Sequence, residues 1–210
     1  MISAIVLAAG QSRRMGGQKV LLPYGEVTVI EHIVHTLEEA GADEIIAVVG
    51  HDADRVAAAL QNTAARIVLN PDYQSGMLSS ARCGIRAVFT RARAFLIALG
   101  DQPSIRCEVV RALIQEFKNL PEDSQAILVP TCDGRRGHPM IVFRHFRDPI
   151  LTRFDDVGLR GLLQAHPDLV REIPVAHPGI LRDMDAPQDY ANELDALDKE
   201  TRRNDGTLDT

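Results

Sequence analysis

Three cysteines are all that 210 residues carry, Cys83, Cys107 and Cys132, and no two stand in C-x-x-C spacing. An odd, scattered set makes neither a disulfide framework nor a zinc site, and points to reduced thiols in a cytosol. Positive charge is short as well. A net charge of −6 leaves no general surface for nucleic acid, so the cations that matter are expected at one concentrated site. No apolar run approaches the ~20 residues that cross a bilayer. The apolar start, Ile2 to Ala9, has its positive charges after it, the reverse of a signal peptide. A cytoplasmic protein with neither nucleic-acid nor membrane partners is therefore expected. Internal repeats, low-complexity stretches and linkers are missing too. Hydrophobic and charged fractions of 45% and 25% are those of a soluble globular chain. The expected organisation is one domain over residues 1–198, followed by a polar, disordered tail over 199–210.

Ile5 to Pro23 carries the densest signal. An apolar run, Ala4 to Ala9, predicts a buried strand that stops at Gly10. The loop that follows holds Gly10, Gly16 and Gly17 with Arg13, Arg14 and Lys19. Glycines let backbone N–H groups face an anion without a Cβ in the way, and Arg14 and Lys19 are suited to neutralise a polyphosphate. An ordinary strand-to-loop turn with solvated charges is the plain alternative. Neither G-x-G-x-x-G nor G-x-x-x-x-G-K-[ST] is present, so the two best-known phosphate loops are excluded.

Along the rest of the chain, strands and helices alternate. Helices are predicted over 29–40, 52–61, 78–91, from a Ser104 cap to 119, over 158–166 and over 187–197. Strands are predicted over 44–49, 66–69, 94–99, 126–129 and 170–175, with the apolar run 140–143 forming a hairpin or bulged excursion at the sheet edge. This alternation implies a three-layer, Rossmann-like α/β fold: a mostly parallel sheet with helices on both faces. In such sheets ligands bind at the carboxyl ends of strands near the topological switch point. The glycine loop and Asp101 both follow strands directly, so one shared site is expected.

Two acidic positions stand out. Asp101, in Gly-Asp-Gln-Pro, can be read as a helix cap. Asp185, in Asp183-Met-Asp-Ala-Pro187, can be read as the N-cap of the last helix. Together with a cationic glycine loop, however, two separated aspartates are the minimum equipment for metal-dependent nucleotidyl transfer. Magnesium is commonly held by one or two carboxylates plus substrate phosphates.

Leu-Ala-Ala-Gly-x-Ser-x-Arg-Met-Gly-x-x-Lys, from Leu7 to Lys19, resembles the signature loop of the MobA-like nucleotidyltransferases. That family includes the molybdenum cofactor cytidylyl- and guanylyltransferases. Gly100-Asp-Gln-Pro103 and Asp183-Met-Asp-Ala-Pro187 are similar to its Gly-Asp-x-Pro and Asp-x-Asp-x-Pro, so the resemblance spans nearly the whole chain. It implies catalytic roles for Arg14, Lys19 and Asp101, and Mg2+ ligation by Asp101 and Asp185, with Asp183 supporting. It further implies nucleotide binding by Leu7, Ala8, Ala9, Gly10, Arg14, Lys19, Asn70, Ser79 and Ser80. Asn70 would read a base edge with its amide; helix capping is the alternative for the serines. Gly134-Arg-Arg-Gly-His-Pro139 is similar to the family's Gly-x-x-Gly-x-Pro and implies acceptor contacts from Arg136, Gly137, His138 and Pro139, an exposed basic turn being the alternative. The implied reaction moves CMP from CTP to a phosphorylated acceptor, molybdopterin in the nearest case, with a molybdoenzyme as an implied partner. Ala9 is the basis for CTP, since cytidylyl members carry Leu-Ala-Ala-Gly and guanylyl members Leu-Ala-Gly-Gly. A sugar phosphate or other alcohol phosphate as acceptor, and a non-catalytic pterin-delivery chaperone, are the rival readings.

Overall fold

The computed structural model describes residues 1–205, with side chains described through Lys199; residues 206–210, the end of the expected tail, lie outside the described residues. The chain order is β1 (Ile2–Ala8), a small hairpin of β2 (Pro23–Tyr24) and β3 (Val27–Thr28), α1 (Val29–Glu39), β4 (Glu44–Val49), α2 (Ala53–Ala59), β5 (Ala65–Leu69) and α3 (Met77–Ala87). It continues with β6 (Ala94–Leu99), α4 (Cys107–Asn119), β7 (Ile127–Cys132), β8 (Arg135–Arg136), β9 (Met140–Phe143), α5 (Arg147–Thr152), α6 (Leu159–Ala165), β10 (Val170–Pro174) and α7 (Pro187–Asp205).

The main sheet runs β10-β7-β9-β6-β1-β4-β5, with β8 folded back on β7. Its strands are parallel except β9, which is antiparallel to both neighbours, and β8. Strands β4, β6, β7 and β9 are buried along their whole length and β1 nearly so, as expected of strands covered on both faces. The two edges, β5 and β10, are the partly exposed ones. Around the sheet, α1 packs on α2 and α4, while α3 packs on α5 and α5 on α6. The chain leaves β1 for β4 and β5 on one side, then crosses to β6 on the other. That reversal puts the switch point between the carboxyl ends of β1 and β6.

Gly100 makes the junction close. Its N–H donates to the Leu7 carbonyl at 3.0 Å, and a Cβ at this position would stand 2.8 Å from that same oxygen. The Rossmann-like fold class read from the sequence is therefore the observed one.

Four of the differences from the sequence expectation have a bearing on packing or on the ends of elements. Strand β9 lies inside the sheet between β7 and β6 rather than at its edge; a run apolar on both faces belongs in the interior, and the neighbouring turn obscured this. Helix α3 stops at Ala87, not Arg91, because Val88 is extended and the Phe89 N–H is taken by the Glu44 carboxylate at 3.1 Å. Ser104 is not a cap: α4 begins at Cys107 without a side-chain cap, and the Ser104 hydroxyl is engaged by Glu193. Helix α7 continues to Asp205, past the expected end at Leu197 and into the segment expected to be a disordered tail. Among the described residues no helix is long and apolar enough to cross a membrane.

Helix α3 approaches β1 and β4 through Gly84, where an added Cβ would overlap Ile5 Cγ2 and meet Val48 Cγ2 at 3.1 Å. Both are β-branched methyls of fully buried residues and cannot swing aside. Gly84→Ala gains about 1 kcal/mol in helix propensity but overpacks the core by about 1–3 kcal/mol. A net loss of stability in urea unfolding is expected, whereas a surface Gly→Ala change would stabilise.

Candidate functional site

The loop after β1 is shaped by its own side chains. Ser12 is left-handed (φ 50°), a costly conformation for a residue with a Cβ. Its hydroxyl donates to Gln18 Oε1 at 2.8 Å and accepts the Lys19 N–H at 3.1 Å. Gln18 is buried, and its Nε2 donates to the His51 carbonyl at 2.9 Å, clamping the loop to the chain just beyond β4. The backbone of Lys19 is thereby fixed. Sequence reading missed Gln18, because a polar residue beside a lysine carries no signal of burial.

From that anchor the Lys19 side chain reaches both aspartates. Its Nζ lies 2.5 Å from Asp101 Oδ2 and 2.9 Å from Asp185 Oδ1, and Arg14 stands 3.5 Å from the other Asp185 oxygen. Asp101 is placed by the end of β6. Asp185 is placed by the start of α7, and the two segments are joined by a hydrogen bond from the Met184 N–H to the Asp101 carbonyl at 3.0 Å. The capping alternatives are not what the side chains do. Asp189, in the first turn of α7, accepts the N–H groups of Asp185 (3.0 Å) and Ala186 (2.7 Å), which leaves the Asp185 carboxylate facing Lys19. Burial alone would pull the Lys19 pKa down, but Asp101 and Asp185 overcome it and hold the ammonium charged. Burial pushes Asp101 up against the pull of Lys19, while the Lys19 hydrogen bond holds Asp185 down.

Two cavities meet here. A cleft of about 430 Å³ is lined by Leu7, Ala8, Ala9 and Gly10, with Arg14, Lys19, Ser80, Asp101 and Asp185 around it. A second, of about 890 Å³, is lined by Arg136, Gly137 and His138, together with Gln102, Asp183 and the side chains of α6. Leu99 and Met77 belong to both walls. The division falls within each acidic motif: Asp101 and Asp185 face the first cavity, and Gln102 and Asp183 the second. Gln102 Nε2 donates to Asp183 Oδ1 at 2.6 Å. Asp183 thus stands beside the carboxylate pair without joining it.

Some expected residues sit otherwise. Asn70 is buried; its amide nitrogen donates to the hydroxyls of Ser79 (2.9 Å) and Ser80 (3.0 Å), and its oxygen accepts the Asp72 N–H (3.0 Å). A side chain so occupied braces the 70–80 loop and presents no edge to a base. Gly76, not a serine, occupies the α3 cap position, and Ser79 spends its hydroxyl on the Asp72 and Gly76 carbonyls. Ser80 does line the first cavity. In the basic turn, Arg136 pairs with Glu172 at 2.8 Å, and Pro139 is buried behind the second cavity's wall. Burial pushes the His138 imidazole down, keeping it neutral.

A cationic loop and two facing carboxylates at the switch point of a mostly parallel sheet are the arrangement expected of a nucleotidyltransferase. The model of the MobA-like NTP transferase domain matches residues 4–170, and the chain belongs to that family. It is 33% identical to the nicotine blue oxidoreductase of Paenarthrobacter nicotinovorans over 190 residues, 88% of this chain and 92% of the relative. It is 28% identical to the molybdenum cofactor cytidylyltransferase of Escherichia coli K12, also over 190 residues, 90% and 93% of the two chains. Among solved structures, a nucleotidyl transferase from Methanothermobacter thermautotroptrophicus superposes with a TM-score of 0.83 at 27% identity, over 95% of this chain and 99% of that one. Rv0371c of Mycobacterium tuberculosis H37Rv, in complex with manganese, gives 0.72 at 28% identity, over 92% and 98%.

The clamp on the loop is testable. Gln18→Ala removes the partners of the His51 carbonyl and the Ser12 hydroxyl and is expected to cost about 1–3 kcal/mol. Urea unfolding measures it. An unchanged midpoint would mean that the loop holds its shape without this residue.

Proposed function

We propose that the protein moves CMP from CTP to a phosphorylated acceptor of the molybdopterin type, releasing pyrophosphate, with Mg2+ as its cofactor. The observation that carries this reading is the partition of Asp101-Gln102 and Asp183-x-Asp185 between two adjoining cavities, one suited to a nucleotide and the other to an acceptor. The donor set fits a magnesium ion. Two carboxylates within reach of one ammonium are the protein's usual share of a shell that substrate phosphates and water complete. Among the described residues no cluster of three or more His, Cys, Asp or Glu competes as a metal site.

Asp101 and Asp185 would hold the ion, which supplies charge neutralisation at the reacting phosphate. Lys19 and Arg14 bind the triphosphate and stabilise the departing pyrophosphate, a task of positioning and electrostatics with little covalent chemistry. The acceptor phosphate attacks the α-phosphorus and the α–β bond breaks, so no side chain serves as nucleophile. The larger cavity supports a ring-bearing acceptor over a sugar phosphate. Its walls include Met77, Leu99, Met140, Leu159 and Leu163, while Arg135, Arg136 and Arg160 supply cations for an anionic group. The 33% identity to nicotine blue oxidoreductase is the observation that favours a second reading, redox turnover in the same cavities. Incubation with Mg2+, the four NTPs and an acceptor panel separates the two. Pyrophosphate release supports transfer; in a parallel incubation with a reduced nicotinamide as electron donor and a quinonoid dye as electron acceptor, dye reduction without pyrophosphate release in the first supports the alternative.

Two variants sharpen the reading. Asp101→Asn keeps the backbone bond to Met184 and an oxygen for the Lys19 ammonium, and is expected to stay folded with a lowered melting point while turnover falls by about 100-fold or more. Near-normal activity would remove Asp101 from the metal. Ala9, buried and lining the nucleotide cleft, is expected to exclude the larger purine through its Cβ. CTP should win over GTP and ATP in competition assays, and Ala9→Gly should narrow the CTP–GTP gap without reversing it. One methyl is worth about 1–3 kcal/mol of discrimination. A wild-type preference for GTP or ATP would sink the cytidylyl assignment while leaving nucleotidyl transfer in place.

A further inference from the structure

We infer that Lys19 is a latch on the cation site: in the free protein its ammonium occupies the place between Asp101 and Asp185, and the nucleotide must draw it off before a divalent cation can enter. The inference rests on the proposal that these carboxylates hold the cation during turnover. Its own ground is the geometry of Lys19. One nitrogen at 2.5 Å and 2.9 Å from oxygens of two different carboxylates already fills the space that a cation bound to both would need. Two positive centres in that space repel at short range, in surroundings where Lys19 and Asp101 are largely withdrawn from water.

The latch can move without disturbing its mount. The Lys19 N–H is held by Ser12, and Ser12 by the buried Gln18, so the backbone stays fixed while the four-carbon stem swings. The glycine loop and Arg14 line the same cleft, and a polyphosphate bound there offers the ammonium a competing set of oxygens. Once Lys19 turns to those oxygens, both carboxylates lose their cation together. The ligand that completes the site is then a nucleotide carrying its metal, and nucleotide and cation bind with positive coupling. By linkage the coupling acts equally in both directions.

Manganese, titrated into the 210-residue chain and read by electron paramagnetic resonance, tests the latch without any turnover. Lys19→Met keeps the bulk of the stem and removes the charge. It is expected to bind Mn2+ about tenfold more tightly than the free wild type, within the usual range of coupling between sites. Adding Asp101→Asn to Lys19→Met should cancel the gain. Lys19→Gln, which keeps a hydrogen-bonding head, serves if the methionine variant fails to fold by circular dichroism, and is expected to show a gain of the same sign. With wild-type protein, water-proton relaxation should reveal a ternary complex of protein, CTP and Mn2+ at metal concentrations where the free protein binds little. If Lys19→Met and Lys19→Gln bind Mn2+ no more tightly than the wild type while the ternary complex forms, the latch is overturned and the metal reading stands. If no ternary complex forms and no variant binds Mn2+, both are overturned.

Discussion

A single ammonium shared between two carboxylates is the constraint to which the rest of the structure answers. Lys19 comes from the loop after the first strand, Asp101 from the end of β6, and Asp185 from the start of the last helix. No local sequence rule brings these three together. Parallel strands β1 and β6 must be neighbours, which requires the crossover past β4 and β5, and Gly100 must let the two strand ends touch. The last helix must begin where the Met184 N–H meets the Asp101 carbonyl, and another residue must do its capping. Asp189 does so, which releases Asp185 for the site.

Much of this was legible in the chain. Apolar strands that alternate for the most part with helices specify a mostly parallel sheet, and in a parallel sheet the residues just after the strands share one end. That logic places Lys19 and Asp101 together, and the three motifs spaced along the chain point to the same cluster. Asp185 was legible only in part. Two residues before Pro187, it reads by itself first as a helix cap, and it took the position of Asp189 to decide against that.

The rest was hidden for physical reasons. The run that forms β9 is apolar on both faces and so suits the interior, but the adjoining turn pointed to an edge, and four residues do not say which strands lie beside them. Asn70 carries donor and acceptor groups that suit a base edge, yet those same groups satisfy Ser79, Ser80 and Asp72 first. A buried amide must meet its own hydrogen-bonding needs before it can serve a ligand. Gln18 shows the converse: it had no signature at all, yet it fixes the residue on which the site turns.

The two acidic motifs do more than supply charge. Neighbouring residues at the end of a strand diverge, so Asp101 faces the smaller cavity and Gln102 the larger; Asp185 and Asp183 repeat the division on the facing segment. The Gln102–Asp183 hydrogen bond on one side therefore runs beside the Lys19-bridged carboxylates on the other, and the Met184–Asp101 backbone bond ties the two segments together. A displacement of either segment would disturb both cavities at once. For a group transfer that needs little covalent help, the alignment of donor and acceptor is the main thing a protein can supply. Tying both binding surfaces to the same two short stretches is a direct way of fixing it.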